Sequence, residues 1–277
     1  MDGMSTHETP WPAGTPCWTE LSADDAAAAR DFYSGLFGWD IDVSGPEFGD
    51  YGVARVDGHR VAGVGGKMSA DQPSAWTTYL ASDDVDATAA AVAEHGGQVA
   101  GPPMDIADMG RMIIATDPSG AVFGVWQAGS NTGSGLVNQP GGVVWNEHVS
   151  GDFEGSKTFY GNVFGLSVQP MPGAPEGLQS GMLARSGGQV VGSAADVSAS
   201  SADGAGDGWV TYFAVADTDG TVAKATELGG SVVADPSDAP FGRMAVLAGP
   251  EGERFAVVQT PAEGHAHSDT PDADPTD

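Results

Sequence analysis

Residues 16–38, PCWTELSADDAAAARDFYSGLFG, return at 143–165 as VVWNEHVSGDFEGSKTFYGNVFG. Trp18, Glu20, Asp25, Phe32, Tyr33, Phe37 and Gly38 recur 127 residues later at Trp145, Glu147, Asp152, Phe159, Tyr160, Phe164 and Gly165. Trp76, Tyr79, Asp84, Gly96 and Gly97 recur after 133 residues, at Trp209, Tyr212, Asp217, Gly229 and Gly230. Gly110, Arg111, Met112, Gly120 and Gln127 recur after 132, at Gly242, Arg243, Met244, Gly252 and Gln259. A drift of about six residues over the whole register means one domain duplicated with small loop changes. The chain must therefore fold as two copies of one plan, and each copy can be read against the other.

The copies divide again. In the first, 15–21 reads as a strand, and Ser22 or Asp24 is placed to cap a helix running to about Leu36. Strands are expected at 39–43 and at 51–56 and 60–65, the last two joined by an Asp57-Gly58 hairpin turn. The order then restarts with a strand at 75–81 and a helix capped by Asp83 or Asp84. That helix ends near His95, where Gly96-Gly97 supplies a left-handed stop, and strands follow at 98–101, 111–116 and 121–127. The expected fold class is α+β: two domains, each of two βαβββ units forming a curved mixed sheet, four units in all. The domains are expected at 14–128 and 142–260, with a Gly/Asn/Pro linker at 129–141 and disordered tails at 1–13 and 261–277. A polar loop at 197–208 is specific to the second copy.

A net charge of −28 argues against nucleic acid or an anionic membrane as partner and favours solubility. No window approaches the roughly 20 apolar residues of a membrane span, and the N-terminus lacks a basic-then-apolar signal pattern, so a cytoplasmic protein is expected. The single cysteine, Cys17, excludes an internal disulfide and reads as a buried inert thiol.

The run Phe32-Tyr33-x-x-Leu36-Phe37-Gly38-Trp39, followed by DDVDA at 83–87, HGG at 95–97 and TDPSG at 116–120, resembles the vicinal oxygen chelate superfamily. That superfamily includes glyoxalase I, bleomycin-resistance proteins and extradiol dioxygenases, and the resemblance spans nearly all of 15–260. WNE at 145–147, FYxxVFGL at 159–166 and GRM at 110–112 and 242–244 are similar to tandem actinobacterial glyoxalase-like members. The resemblance implies a cup formed by paired units, with a divalent metal held in catalytic members by His, Glu or Gln from the first and last strands. Carried onto this chain, those positions fall at Trp18, Thr77 and Gly124, and in the second copy at Trp145, Val210 and Ala256. None is a fit metal donor apart from a threonine hydroxyl, itself a poor one. The expectation is therefore no metal and no cofactor.

Strand alternation sets Glu20 beside Trp18, Glu147 beside Trp145, Tyr79 beside Thr77, Tyr212 beside Val210 and Trp126 beside Gly124. The inferred cups have aromatic walls, one carboxylate each, and small residues at 124 and 256 opening the floor. Glu20 and Glu147 are the candidate bases, since apolar surroundings raise a carboxyl pKa toward a useful value. They also read as strand-holding carboxylates paired with Arg or backbone donors. Trp18, Tyr79, Trp126, Trp145 and Tyr212 are candidate substrate-binding residues. Arg111 and Arg243 are added either as ligand clamps or as structural partners of Glu20 and Glu147 or of Asp105 and Asp108. His148 faces away from Glu147 and reads as a core residue. Gln127 and Gln259 read as edge hydrogen-bonders, with a rebuilt Glu/Gln metal site left open. His265 and His267 sit in the C-terminal tail, and DPSG reads as a simple type I turn.

The preferred reading is a metal-independent enzyme working on a small aromatic or apolar molecule by acid/base chemistry of the lyase, isomerase or cyclase type. A non-catalytic, bleomycin-resistance-like binding protein is the alternative, and a metal-dependent lyase or dioxygenase with displaced ligands the third. The expected partner is a small-molecule ligand. Two cups per chain suit either a monomer or a homodimer.

Overall fold

A computed structural model describes residues 6–171, 179–200, 204 and 207–259. Pro16–Ala23 (β1), Ala26–Phe37 (α1), Asp40–Val43 (β2), Gly52–Val56 (β3) and His59–Gly66 (β4) form the first unit. Ala75–Ala81 (β5), Val85–Glu94 (α2), Gln98–Val99 (β6), Met104–Ile106 (β7), Gly110–Thr116 (β8) and Val122–Ala128 (β9) form the second. Val143–Ser150 (β10), Phe153–Phe164 (α3), Ser167–Pro170 (β11), Ser180–Ala184 (β12) and Val190–Asp196 (β13) are the third. Gly208–Ala214 (β14), Thr218–Glu227 (α4), Ser231–Ala239 (β15), Gly242–Ala248 (β16) and Arg254–Gln259 (β17) are the fourth.

The class is α+β, as the alternation requires. One sheet runs β2-β3-β4-β1-β5-β9-β8-β6, with β7 beside β8; the other runs β11-β12-β13-β10-β14-β17-β16-β15. In each, the first strands of two units lie antiparallel at the centre and each pairs in parallel with a later strand of its own unit. The short strands β6 and β7 of the first copy give way to the single long β15 in the second.

Helix starts follow local chemistry. Asp25, one residue beyond the expected Asp24, caps α1 by accepting from Ala27 N and Ala28 N, and Asp152 caps α3 through Gly155 N. Gly38 and Gly165 close these helices at φ 71° and 67°, a backbone that favours glycine. Asp57 and Gly58 both take positive φ, as a type I′ hairpin turn needs.

The two sheets meet back to back. Thr19 and Thr211 hydroxyls lie 3.1 Å apart, and Thr78 donates to Asn146 Oδ1 at 3.0 Å, all four residues buried. On one side of this seam α1 packs on α4, and on the other α2 packs on α3. One core joins Phe32, Tyr33, Trp39 and Trp76 to Phe213, Leu247 and Phe255; the other joins Leu80, Ile113 and Phe123 to Phe159, Tyr160 and Trp209. Each copy thus completes its core with the other. The remaining face of each sheet carries Trp18, Glu20, Tyr79 and Trp126 in the first copy and Trp145, Glu147 and Tyr212 in the second, the places where the cups are expected.

Residues 6–13, expected within a disordered tail, are tied down instead. His7 N donates to Gly135 O, Thr15 N to Pro12 O, and the Trp11 indole to Ser134 O while its ring packs near Trp18 and Trp126. The expectations for 1–5 and 260–277, including His265 and His267, and for parts of the 197–208 loop lie outside the described residues.

Candidate functional site

The central antiparallel pair sets the geometry of the first cup. Trp18 lies opposite Tyr79, Glu20 opposite Thr77, and Tyr79 pairs across the parallel ladder with Gly124. Because side chains alternate, Trp18, Glu20, Thr77, Tyr79, Gly124 and Trp126 share the outward face. The Glu20 carboxyl is half-buried and gripped from two sides. The Tyr51 hydroxyl donates to Oε2 at 2.7 Å, and the Tyr79 hydroxyl to Oε1 at 3.4 Å. Trp18 Nε1–H in turn donates to the Tyr51 oxygen at 3.3 Å.

Burial pushes the Glu20 carboxyl above the usual glutamate range, and the two tyrosine donors offset only part of that rise. Burial and the neighbouring carboxylate raise Tyr51 and Tyr79 well above the ordinary phenol range, so both remain neutral donors. The result is a carboxyl shifted toward taking and returning a proton, with hydroxyls beside it.

Tyr51 was not among the residues singled out from sequence. It sits one residue ahead of β3, and its signal lies in a neighbouring strand. A β-carbon at Gly63 would fall 1.8 Å from the Tyr51 hydroxyl, and one at Gly65 3.0 Å from its ring. Gly124 is likewise a seat: a β-carbon there would fall 2.1 Å from the Tyr79 ring. The small residue expected to open the floor is the place on which Tyr79 rests.

The second cup repeats the plan with different partners. Trp145 is opposite Tyr212, and Glu147 opposite Val210. Tyr212 donates to Glu147 Oε2 at 2.7 Å and Ser200 to the same oxygen at 2.9 Å, while the Trp145 indole donates to Ser193 Oγ at 2.9 Å. Glu147 is only 3 % exposed, and Tyr212, Met244 and Ala256 around it are buried as well.

Arg111 and Arg243 do not join either cup. Met112 pairs with Trp126 on the outward face, which turns Arg111 to the helix side. There it bonds Asp86 at 3.0 Å and lies 3.6 Å from Asp105; Arg243 holds Asp219 at 2.6 Å and Asp238 at 3.1 Å. They tie helix starts to the sheet, and neither meets Glu20 or Glu147. Gln127 and Gln259 act similarly, accepting from Val85 N and Thr218 N at the starts of α2 and α4. Cys17 is buried, and burial raises its thiol far out of the reactive range.

His148 does lie in the core, but in a bonded cluster that the turn at 116–120 conceals. Its Nε2 lies 2.9 Å from Asp117 Oδ2, an oxygen that also accepts from the Tyr160 hydroxyl at 3.2 Å; Trp209 Nε1 donates to that hydroxyl. Asp117 further accepts from Ser119 and Ala121. The other side of the molecule carries a matching set: Trp76 donates to Tyr33, and Tyr33 to Glu253 at 2.8 Å.

A glyoxalase/bleomycin resistance protein/dioxygenase superfamily model matches residues 17–125 and again 144–257. The chain belongs to that superfamily. CFP32 of Mycobacterium tuberculosis (strain CDC 1551 / Oshkosh), whose name places it among the glyoxylases, is 39% identical over 252 residues, covering 89% of this chain and 95% of the relative. The anthracycline biosynthesis protein DnrV of Streptomyces peucetius is 37% identical over 266 residues, covering 89% and 93%. Among solved structures, the Mn(II)-bound glyoxalase of Novosphingobium aromaticivorans superposes with a TM-score of 0.60 at 15% identity, over 92% of this chain and 86% of that one. At that identity the likeness shows the shared fold.

A divalent ion of the kind bound by that glyoxalase needs converging oxygen or imidazole donors. At the places the superfamily pattern indicates, this chain offers an indole N–H already committed to Tyr51, the Thr77 hydroxyl, and a glycine covered by a tyrosine ring. Among the described residues no three His, Cys, Asp or Glu side chains converge as a metal-binding group. These residues do not fit such an ion.

Proposed function

We propose that this protein catalyses proton transfer on a small, flat, carbonyl-bearing aromatic molecule, with Glu20 as the base. The observation that carries this reading is the half-buried Glu20 carboxyl, raised by burial and held between the Tyr51 and Tyr79 hydroxyls beside the apolar cluster of Trp18, Tyr79 and Trp126. Met112, Ile114 and Val53 add apolar wall beside Trp18 and Trp126, the lining that a planar ring system prefers. The anthracycline relative adds support for a fused-ring ketone as the substrate class.

The chemistry needs no oxidant. Glu20 takes a proton from carbon activated by the carbonyl, and the bonding pair moves onto the carbonyl oxygen as an enolate. A tyrosine hydroxyl freed from the now neutral carboxyl donates to that oxygen. Return of the proton from Glu20 to a different atom gives an isomer; when the Glu20 proton first swaps with a solvent deuteron, deuteration of the same carbon gives exchange.

Anthrone in D2O is a suitable probe, because its central methylene exchanges through the enol. The expected result is quenching of tryptophan emission on binding, and deuterium incorporation seen by mass spectrometry well above the buffer rate. A second reading has its own support: both Glu20 oxygens are already hydrogen-bonded, as in a fixed wall of a binding pocket. Quenching without enhanced exchange establishes that sequestering reading in place of catalysis, and the absence of quenching overturns the fused-ring substrate class.

A further inference from the structure

The two cups descend from one sequence, so their differences show what only one of them has. Register pairs β3 with β4 so that Gly52 meets Val64 and Val53 meets Gly63; β12 meets β13 with Gly181 at Ala194 and Met182 at Ser193. The position of Tyr51 is therefore taken by Ser180 in the second copy, that of Gly63 by Ser193, and that of Gly65 by Ala195. The first cup has a tyrosine and two glycine seats beneath it; the second has no tyrosine there, and β-carbons where the seats would be. Glu147 receives Ser200 from a loop instead, and is buried where Glu20 is half-open.

We infer that Tyr51 is the positioning residue that sets the first copy apart: seated on Gly63 and Gly65 and braced by the Trp18 indole, it fixes the Glu20 carboxyl in the orientation at which it works. This rests on reading Glu20 as the base. Tyr51 supplies the shorter of the two bonds to Glu20, 2.7 Å against 3.4 Å from Tyr79. Its own oxygen accepts from Trp18, which orients the hydroxyl hydrogen toward the carboxylate. A side chain at position 63 cannot coexist with this placement, since its first carbon would overlap the hydroxyl. Removing the Tyr51 hydroxyl takes away a donor that favours the ionised carboxyl, so the Glu20 proton is held more tightly.

The test reads the carboxyl directly and needs no substrate. Infrared difference spectra across a pH titration follow the protonated-carboxyl band, and Glu20→Gln identifies which part of it belongs to Glu20. In Tyr51→Phe the Glu20 midpoint moves to higher pH, and Gly63→Ala, which displaces Tyr51 without deleting it, moves it the same way. The anthrone exchange rate falls on the order of a hundredfold in both variants near neutral pH, the size of losing one well-placed donor. Circular dichroism matching the wild type keeps either result from being an unfolding effect; should Gly63→Ala fail to fold, Tyr51→Phe decides alone. An unmoved Glu20 midpoint in Tyr51→Phe overturns the inference. A moved midpoint in a protein that gives no exchange at all upholds the inference and overturns instead the reading of Glu20 as a base.

Discussion

Glu20 and Asp117 are two sheltered carboxyls that burial alone would raise, and their partners send them in opposite directions. Glu20 stays above the usual range because burial outweighs its tyrosine donors. For Asp117 burial is again the largest influence, but hydrogen bonds from His148, Ser119 and Ala121 together outweigh it and hold the carboxyl below its usual range. The signs of their pH effects follow. The Asp117 contribution to stability is present above its unfolded pKa of about 4 and is lost as pH falls through the lowered folded value. The Glu20 contribution is present below its unfolded pKa of about 4.3 and is lost as pH rises through the raised folded one. Urea unfolding at stepped pH is expected to show a shallower acid-side loss of stability in Asp117→Asn than in the wild type. Alternation along β1 and β5 was enough to bring Trp18, Glu20 and Tyr79 to one face from sequence. It was not enough for Tyr51, which precedes its strand and betrays itself only through glycines opposite. The same alternation, carried from Trp126 across to Met112, would have turned Arg111 away from the cup.

At the level of elements, the repeated Phe-Tyr of α1 and α3 proves to be a device for joining the copies. Tyr33 of α1 reaches Glu253 in the second copy, and Tyr160 of α3 reaches Asp117 in the first. Tyr33→Phe and Tyr160→Phe each leave a buried carboxylate short of a donor, with an indole N–H short of its acceptor. Each is expected to cost about 1–3 kcal/mol in urea unfolding. The helices, their caps and the hairpin were legible because capping and turn chemistry are local. The Asp117 turn looked self-sufficient for the same reason: its partners His148 and Tyr160 lie in the other copy, and a local reading cannot pair them. The convergence is not sequence-symmetric either, since Asp117 and Glu253 stand at non-equivalent places in their turns.

For the molecule as a whole, duplication has produced one body with shared cores and two unequal cups. Both apolar cores draw residues from both copies, so unfolding followed by tryptophan fluorescence and by far-ultraviolet circular dichroism is expected to give one coincident transition. Two separated transitions would contradict the shared cores. The contrast between half-open Glu20 and enclosed Glu147 predicts one anthrone bound per chain by calorimetric titration. The duplicated fold was legible at once from the repeat, whereas the inequality of the cups was not, because it depends on which side chains find seats across the sheet. The measurement that tests the central claim most directly is the pH dependence of anthrone deuterium exchange in wild type and Glu20→Gln. The account predicts a wild-type rate that rises with pH through a midpoint above the usual glutamate range, and a loss on the order of a thousandfold in Glu20→Gln. Equal exchange by the two proteins across that range would contradict it.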